Sequence, residues 1–227
     1  GLFVGSGFSV IALTSVIFGW VLSVTETNRA MTNYIPRRLQ EQLERDGTVA
    51  DITTTATILL TDIRGYTTLS EGRSPSEILS LLNSYHEKTA AIYEKNGGHL
   101  ITYQGDAQIV VFGPLDPIDN PVLAAVRSAQ QLPKVVFQVA QEAGLEDGVL
   151  RVGSGITTGE VTLSLMGTSG QLQYSVFGAP VRAAHHLQSL SDRVDGAIIL
   201  DERSSHRVKD SVPVKRYRLE SETICTV

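Results

Sequence analysis

Leu60-Thr61-Asp62-Ile63-Arg64-Gly65-Tyr66-Thr67-Thr68-Leu69, answered further along by Gly105-Asp106-Ala107-Gln108-Ile109-Val110-Val111-Phe112-Gly113, sets the architecture of this chain. Each stretch is an apolar run interrupted by a single carboxylate. A strand that stays apolar up to Asp62, and another that starts at Asp106, put two acids at strand ends. Burying a bare carboxylate is costly unless it is paired or holds a hard cation. The pair therefore reads as a two-metal phosphoryl-transfer site with Asp62 and Asp106 as its ligands.

Working outward, residues 56–63 read as a strand and 47–55, polar and Thr-rich, as a loop. Ser74-Pro75-Ser76-Glu77 is a helix start, with Ser at the N-cap, Pro at the first helical position and Glu three residues after the cap. That helix should run to Asn96 and stop at Gly97-Gly98. Residues 99–104 and 108–112 form two strands joined by the Gly105-Asp106 turn. Asn120-Pro121 opens a second helix toward Ala143, kinked or split at Pro133. Residues 150–157 and 172–177 are strands, 180–191 a third helix, and 197–200 and 212–219 late strands. This order predicts an α+β, ferredoxin-like (palm-type) βαββαβ domain, a mostly antiparallel sheet with helices on one face. We assign it to 56–220, with 221–227 as a tail.

Residues 1–25 contain no Asp, Glu, Lys or Arg. As a helix they would span roughly 37 Å at about 1.5 Å per residue, enough to cross a bilayer core. Trp20 suits an interface, and Arg29, Arg37 and Arg38 follow, so the expectation is a transmembrane helix with the rest in the cytoplasm. The other readings are a buried core helix or a signal peptide. Residues 26–55 would be a juxtamembrane linker, its helix marked by Ile35, Leu39 and Leu43. A chain that starts at Gly1 rather than Met reads as continuing upstream. The net charge of -5 argues against a nucleic-acid partner. One cysteine, Cys225, excludes a disulfide framework or a cysteine metal site within the chain.

Four blocks in order, Thr61 to Thr67, Gly97 to Asp106, Gly155 to Val161 and Gln173 to Gly178, resemble the class III nucleotidyl cyclases, over roughly residues 34–219. The resemblance implies a palm-like fold, a head-to-tail dimer with active sites at its interface, and attack of a nucleotide 3′-oxygen on its own α-phosphate. It implies two divalent ions, Mg²⁺ or Mn²⁺, on Asp62, Asp106 and the Ile63 carbonyl. It also implies phosphate contacts from the backbone of Arg64, Gly65, Tyr66 and Thr67.

The chain departs from the family pattern at one group of positions. Adenine-specific members carry Lys where Thr102 stands, and Asp or Thr where Ser175 stands; guanine-specific members use Glu and Cys there. Where the family writes Gly-x-x-Val-Asn-x-Ala-Ala-Arg, this chain has Arg182 for the ribose-orienting Asn and His186 for the transition-state Arg. The two are i and i+4, so they share a helix face. A mostly neutral imidazole cannot copy the permanently charged guanidinium fork. Either Arg182 and His186 have taken over catalytic roles or they are surface residues released from them. The expected function is a membrane-anchored cyclase domain for signal transduction, using ATP by default. It would act as the metal-bearing half of a homodimer or with a complementary partner chain. The alternatives are a pseudo-cyclase that regulates by binding nucleotide or a partner, and an interaction domain with no nucleotide.

Overall fold

The computed structural model describes residues 45–46, 49–168, 171–194, 198–219 and 222–227. The expected membrane span at 1–25 and the linker helix, apart from helical Arg45 and Asp46, lie outside the described residues. Among the described residues no helix is long and apolar enough to cross a membrane.

Strand β1 runs from Ile52 to Arg64, so the predicted loop at 47–55 is corrected: its second half is strand. Threonine misleads here because it is polar, yet its β-branched side chain favours the pleated sheet. Thr53 and Thr57 bond their cross-strand partners Thr162 and Thr158, hydroxyl to hydroxyl, each at 3.0 Å. After the short helix α1 (Tyr66–Glu71) comes α2 (Pro75–Lys95). Its start is the predicted capping box: the Ser74 amide donates to Glu77 Oε2 at 3.0 Å, and the Glu77 amide donates to Ser74 Oγ at 3.4 Å. α2 buries Leu81, Tyr85, Thr89 and Tyr93, one side chain per turn, and ends at Asn96, with Gly97 at φ 75°.

Strands β2 (Gly98–Gln104) and β3 (Ala107–Phe112) flank the Gly105-Asp106 turn as predicted. The long helical stretch is split into α3 (Pro121–Ala129) and α4 (Leu132–Glu142), with Pro133 in the first turn of the second. β4 (Arg151–Thr168) is far longer than predicted. Its first part pairs with β1, and its far end pairs with β5 (Gln171–Phe177) as a hairpin. Helix α5 (Ala179–Leu190), strand β6 (Ile198–Leu200), helix α6 (Glu202–His206) and strand β7 (Lys215–Leu219) follow. The predicted tail is corrected to a strand, β8 (Glu222–Thr226), which pairs with both β6 and β7 and buries Ile224 and Cys225. Five residues carry too short a pattern to separate a strand from an end.

The sheet order is β2-β3-β1-β4-β6-β8-β7, with β5 hydrogen-bonded to β4. Among the described residues only the β4–β6 ladder is parallel. Successive side chains of a strand face opposite ways. Leu59 and Ile63 of β1, with Val152 and Ile156 of β4, join α2, α3 and α4 in one core. Ile58 and Leu60, with Val161 and Leu163, form a second core that includes Ala184 of α5. So the expectation of helices on one face is corrected: α5 covers the other. Glycine makes its approach possible, because a Cβ on Gly155 would lie 2.1 Å from the Ala184 carbonyl oxygen.

Candidate active site

Asp62 has the strand parity of Ile58 and Leu60, so it belongs to the face covered by α5 and pairs across the sheet with Gly153. Asp106 comes from the tight turn between β2 and β3, whose Gly105 takes φ 67°. The last cross-strand pair before the acids is Thr61 with Gln108. Beyond it the Ile63 amide donates to Asp106 Oδ2 at 3.2 Å, which ties the turn to β1. The two carboxyl groups meet. Partial burial, a hydrogen bond to Asp62 and the Asp62 charge together push Asp106 up to about 7. Two close oxygen donors that resist joint ionisation suit a hard divalent cation. Among the described residues no three or more His, Cys, Asp and Glu side chains gather elsewhere as a competing metal cluster.

Gly65 is the N-cap of α1 at φ 84°, and no side chain caps the helix. The first-turn amides therefore keep their donors free of side-chain partners. Tyr66 packs on the core, Thr67 is exposed, and the Thr67 carbonyl accepts from Ser70 Oγ at 2.7 Å. The Arg64 side chain is committed elsewhere, with Nη1 3.0 Å from Asp192 Oδ1. Its burial lowers the guanidinium's proton affinity, and Asp192 offsets part of this. Only the Arg64 backbone remains for the predicted phosphate role.

Thr102 on β2 receives a hydrogen bond from Gln173 Nε2 on β5 at 3.1 Å. Ser175 lies two residues along the same strand face as Gln173. The structure thus brings the predicted base-reading strands together. Arg182 and His186 sit on the exposed side of α5. His186 Nε2 is 2.7 Å from Glu222 Oε2 at the start of β8, while Arg182 has no hydrogen bond or ion pair among the described residues. The close approaches of α5 to the sheet, Pro180 over Gly159 and Ala184 over Gly155, lie along β4 from Gly153, the partner of Asp62. Gly159 and Gly153 are six residues apart, roughly 20 Å of strand.

Sequence reasoning missed a polar network behind the acids. Tyr93 Oη donates to Gln108 Oε1 at 2.5 Å, and Gln108 Nε2 reaches Thr89 Oγ1 at 2.8 Å and His86 Nδ1 at 2.7 Å. The visible signal was Tyr85, Thr89 and Tyr93 at four-residue spacing, a helix face too polar for a plain core.

The model of the adenylate and guanylate cyclase catalytic domain matches residues 49–223. The chain belongs to this family. The cyclase domain is 32% identical over 148 residues to an adenylate cyclase of Anabaena cylindrica, covering 64% of this chain and 29% of that protein. It is 28% identical over 159 residues to adenylate cyclase 1 of Rhizobium meliloti, covering 69% of this chain and 24% of the relative. The match thus spans less than a third of either relative's length. Among solved structures, the guanylyl cyclase Cya2 superposes with a TM-score of 0.68 at 27% identity, over 78% of this chain and 92% of that one. A bacterial light-regulated adenylyl cyclase shares the fold with a TM-score of 0.80 at 20% identity, over 95% of this chain and 64% of the other. The cyclase domain's mixed α+β palm agrees with these neighbours.

Proposed function

We propose that this chain is the catalytic part of a membrane-anchored class III nucleotidyl cyclase. It converts a nucleoside triphosphate, ATP by default, to the 3′,5′-cyclic nucleotide and pyrophosphate, as the metal-bearing half of a dimer. The observation that carries this reading is the meeting of Asp62 and Asp106 at the strand ends, with Asp106 pushed up to about 7. Asp62 and Asp106 would hold two ions, Mg²⁺ or Mn²⁺, with the Ile63 carbonyl as a further donor. Such ions, when bound, supply activation of the 3′-hydroxyl and neutralisation of the triphosphate.

The chain's own residues bind and orient. The amides of Gly65, Tyr66 and Thr67 receive phosphate oxygens at the uncapped start of α1. Thr102 and Ser175 stand at the positions that read the base. Arg182 and His186 lie on the exposed side of α5, which supports a site completed across a dimer interface. The charge-free stretch at 1–25 supports the anchor and a cytoplasmic catalytic domain.

The second reading, a pseudo-cyclase that binds nucleotide and regulates, is favoured by two contacts. His186 is paired with Glu222, and Thr102 is engaged by Gln173 where adenine-specific members carry a lysine. Cyclic nucleotide formation with Mn²⁺ and ATP or GTP separates the two readings. The chain is assayed alone and mixed with a cyclase domain that has the Lys and Asn/Arg set but lacks the metal acids. Product in the mixture is the expected result. No product in any mixture, with Mn²⁺-dependent nucleotide binding retained, leaves the regulatory reading. In the same assay the double substitution Arg182→Asn with His186→Arg should raise turnover of the homodimer, on the order of 10³-fold at most by analogy with arginine fingers. A fall would mean that the present residues act in catalysis.

A further inference from the structure

We propose that His86 on α2 is the positioning residue that holds the Asp106 turn ready for metal, with its proton fixed on Nε2 by hydrogen bonds through the core. This rests on the metal-site reading above.

The proton order follows from one hydroxyl. Thr89 Oγ1 has a single hydrogen, which goes to a carbonyl of its own helix, Tyr85 O at 2.9 Å or His86 O at 3.2 Å. Toward Gln108 that oxygen can only accept, so the Gln108 atom 2.8 Å away is its amide nitrogen. The other end of the amide is then an oxygen, which accepts from Tyr93 Oη at 2.5 Å. The second Gln108 N–H points at His86 Nδ1, 2.7 Å away, which must be bare. The imidazole hydrogen is therefore on Nε2, and it donates to the Gly105 carbonyl at 3.2 Å.

Gly105 is the residue before Asp106. A Cβ built on it meets nothing within 4 Å, so no packing supports the turn on that side. The tether comes from within. The His86 ring also packs on Tyr103, with centroids 4.2 Å apart. The same network reaches the other acid: Thr61, the neighbour of Asp62, lies 3.4 Å from Tyr93 Oη and from Gln108 Oε1. One helix face thus sets the backbone on which both carboxylates stand. A half-buried histidine that served packing alone would need neither the donor toward Gly105 nor a single tautomer.

The test measures Mn²⁺ binding to the full chain by calorimetry, with a non-reactive ATP analogue present. His86→Phe keeps a ring against Tyr103 but loses both bonds; His86→Gln can still donate to Gly105 and accept from Gln108. Partners behind metal ligands are typically worth 10- to 100-fold in affinity, so His86→Phe should weaken Mn²⁺ by about 10-fold or more, and His86→Gln by no more than about threefold. Wild-type affinity in a folded His86→Phe protein overturns the proposal, as does a His86→Gln protein as weak as His86→Phe. Asp106→Ala is run beside them. If it binds Mn²⁺ like the wild type, the metal-site reading itself fails; if it loses Mn²⁺ while His86→Phe does not, only the His86 role fails. Should His86→Phe not fold, the long-range ¹H–¹⁵N spectrum of wild-type His86 still decides. The Nε2–H tautomer is expected, and the Nδ1–H tautomer overturns the proposal.

Discussion

Asp106 shows how two neighbouring carboxylates trade stability for binding capacity. Its carboxyl is pushed up to about 7, first by burial and then by Asp62. Below about pH 4, the ordinary carboxylate value, folded and unfolded chains both carry this proton. Between there and about 7 only the folded chain keeps it, so metal-free stability falls as pH rises through that window and stays low above it. Asp106→Asn removes this dependence. In chelator, its Tm should exceed the wild type's by a few degrees at pH 8 and match it at pH 4. Adding Mn²⁺ at pH 8 should raise the Tm of the wild type only. Equal melting curves at pH 8 in chelator would contradict the strain between the acids. Asp62 and Asp106 stood out in the sequence because a lone acid bordering an apolar run is unusual wherever it occurs. His86 and Gln108 were not. Each alone looks like an ordinary polar residue, and their meaning lies in a contact between a helix and a strand.

At the scale of elements, the helices with local start and stop signals matched expectation: Ser74, Pro75 and Glu77 for α2, and Pro133 for the α3–α4 break. Ser74→Ala should cost about 1 kcal/mol by loss of the cap, measured by urea unfolding, with Mn²⁺ binding unchanged. Helix α5 depends on something no local pattern reports. It lies on β4 because Gly153, Gly155 and Gly159 alternate along one face of the strand, where added Cβ atoms would meet Ser191, Ala184 and Pro180. Gly155→Ala should cost at least the 1–3 kcal/mol typical of overpacking. It should also lift the helix that carries Arg182 and His186. A Tm unchanged from wild type would show that α5 can move aside freely.

One edge of the sheet is held together by residues 222–226. β8 lies between β6 and β7, and its own Ile224 and Cys225 are buried. Deleting 222–227 leaves β6, only three residues long, with a single partner and strips β7 of its ladder. The truncated chain should lose cooperative thermal unfolding in circular dichroism and bind a hydrophobic dye. A sharp transition near the wild-type Tm would show the strand to be dispensable. The deletion also removes Glu222, the partner of His186, so a folded truncation would free that imidazole.

Local chemistry was enough to read the strand that carries Asp62, the capping box of α2, the proline break and the Gly105-Asp106 turn, since each depends on residues a few positions apart. Pairing across the sheet settled the rest. Thr-rich segments became strand because threonines from distant segments face one another, and the final five-residue stretch became strand because β6 and β7 needed a shared partner. The face of the sheet that received α5, and the reach of His86 to the Asp106 turn, arose from side chains far apart in the chain. A strand's period places a carboxylate on one face or the other, but what it meets there depends on how closely other elements can approach.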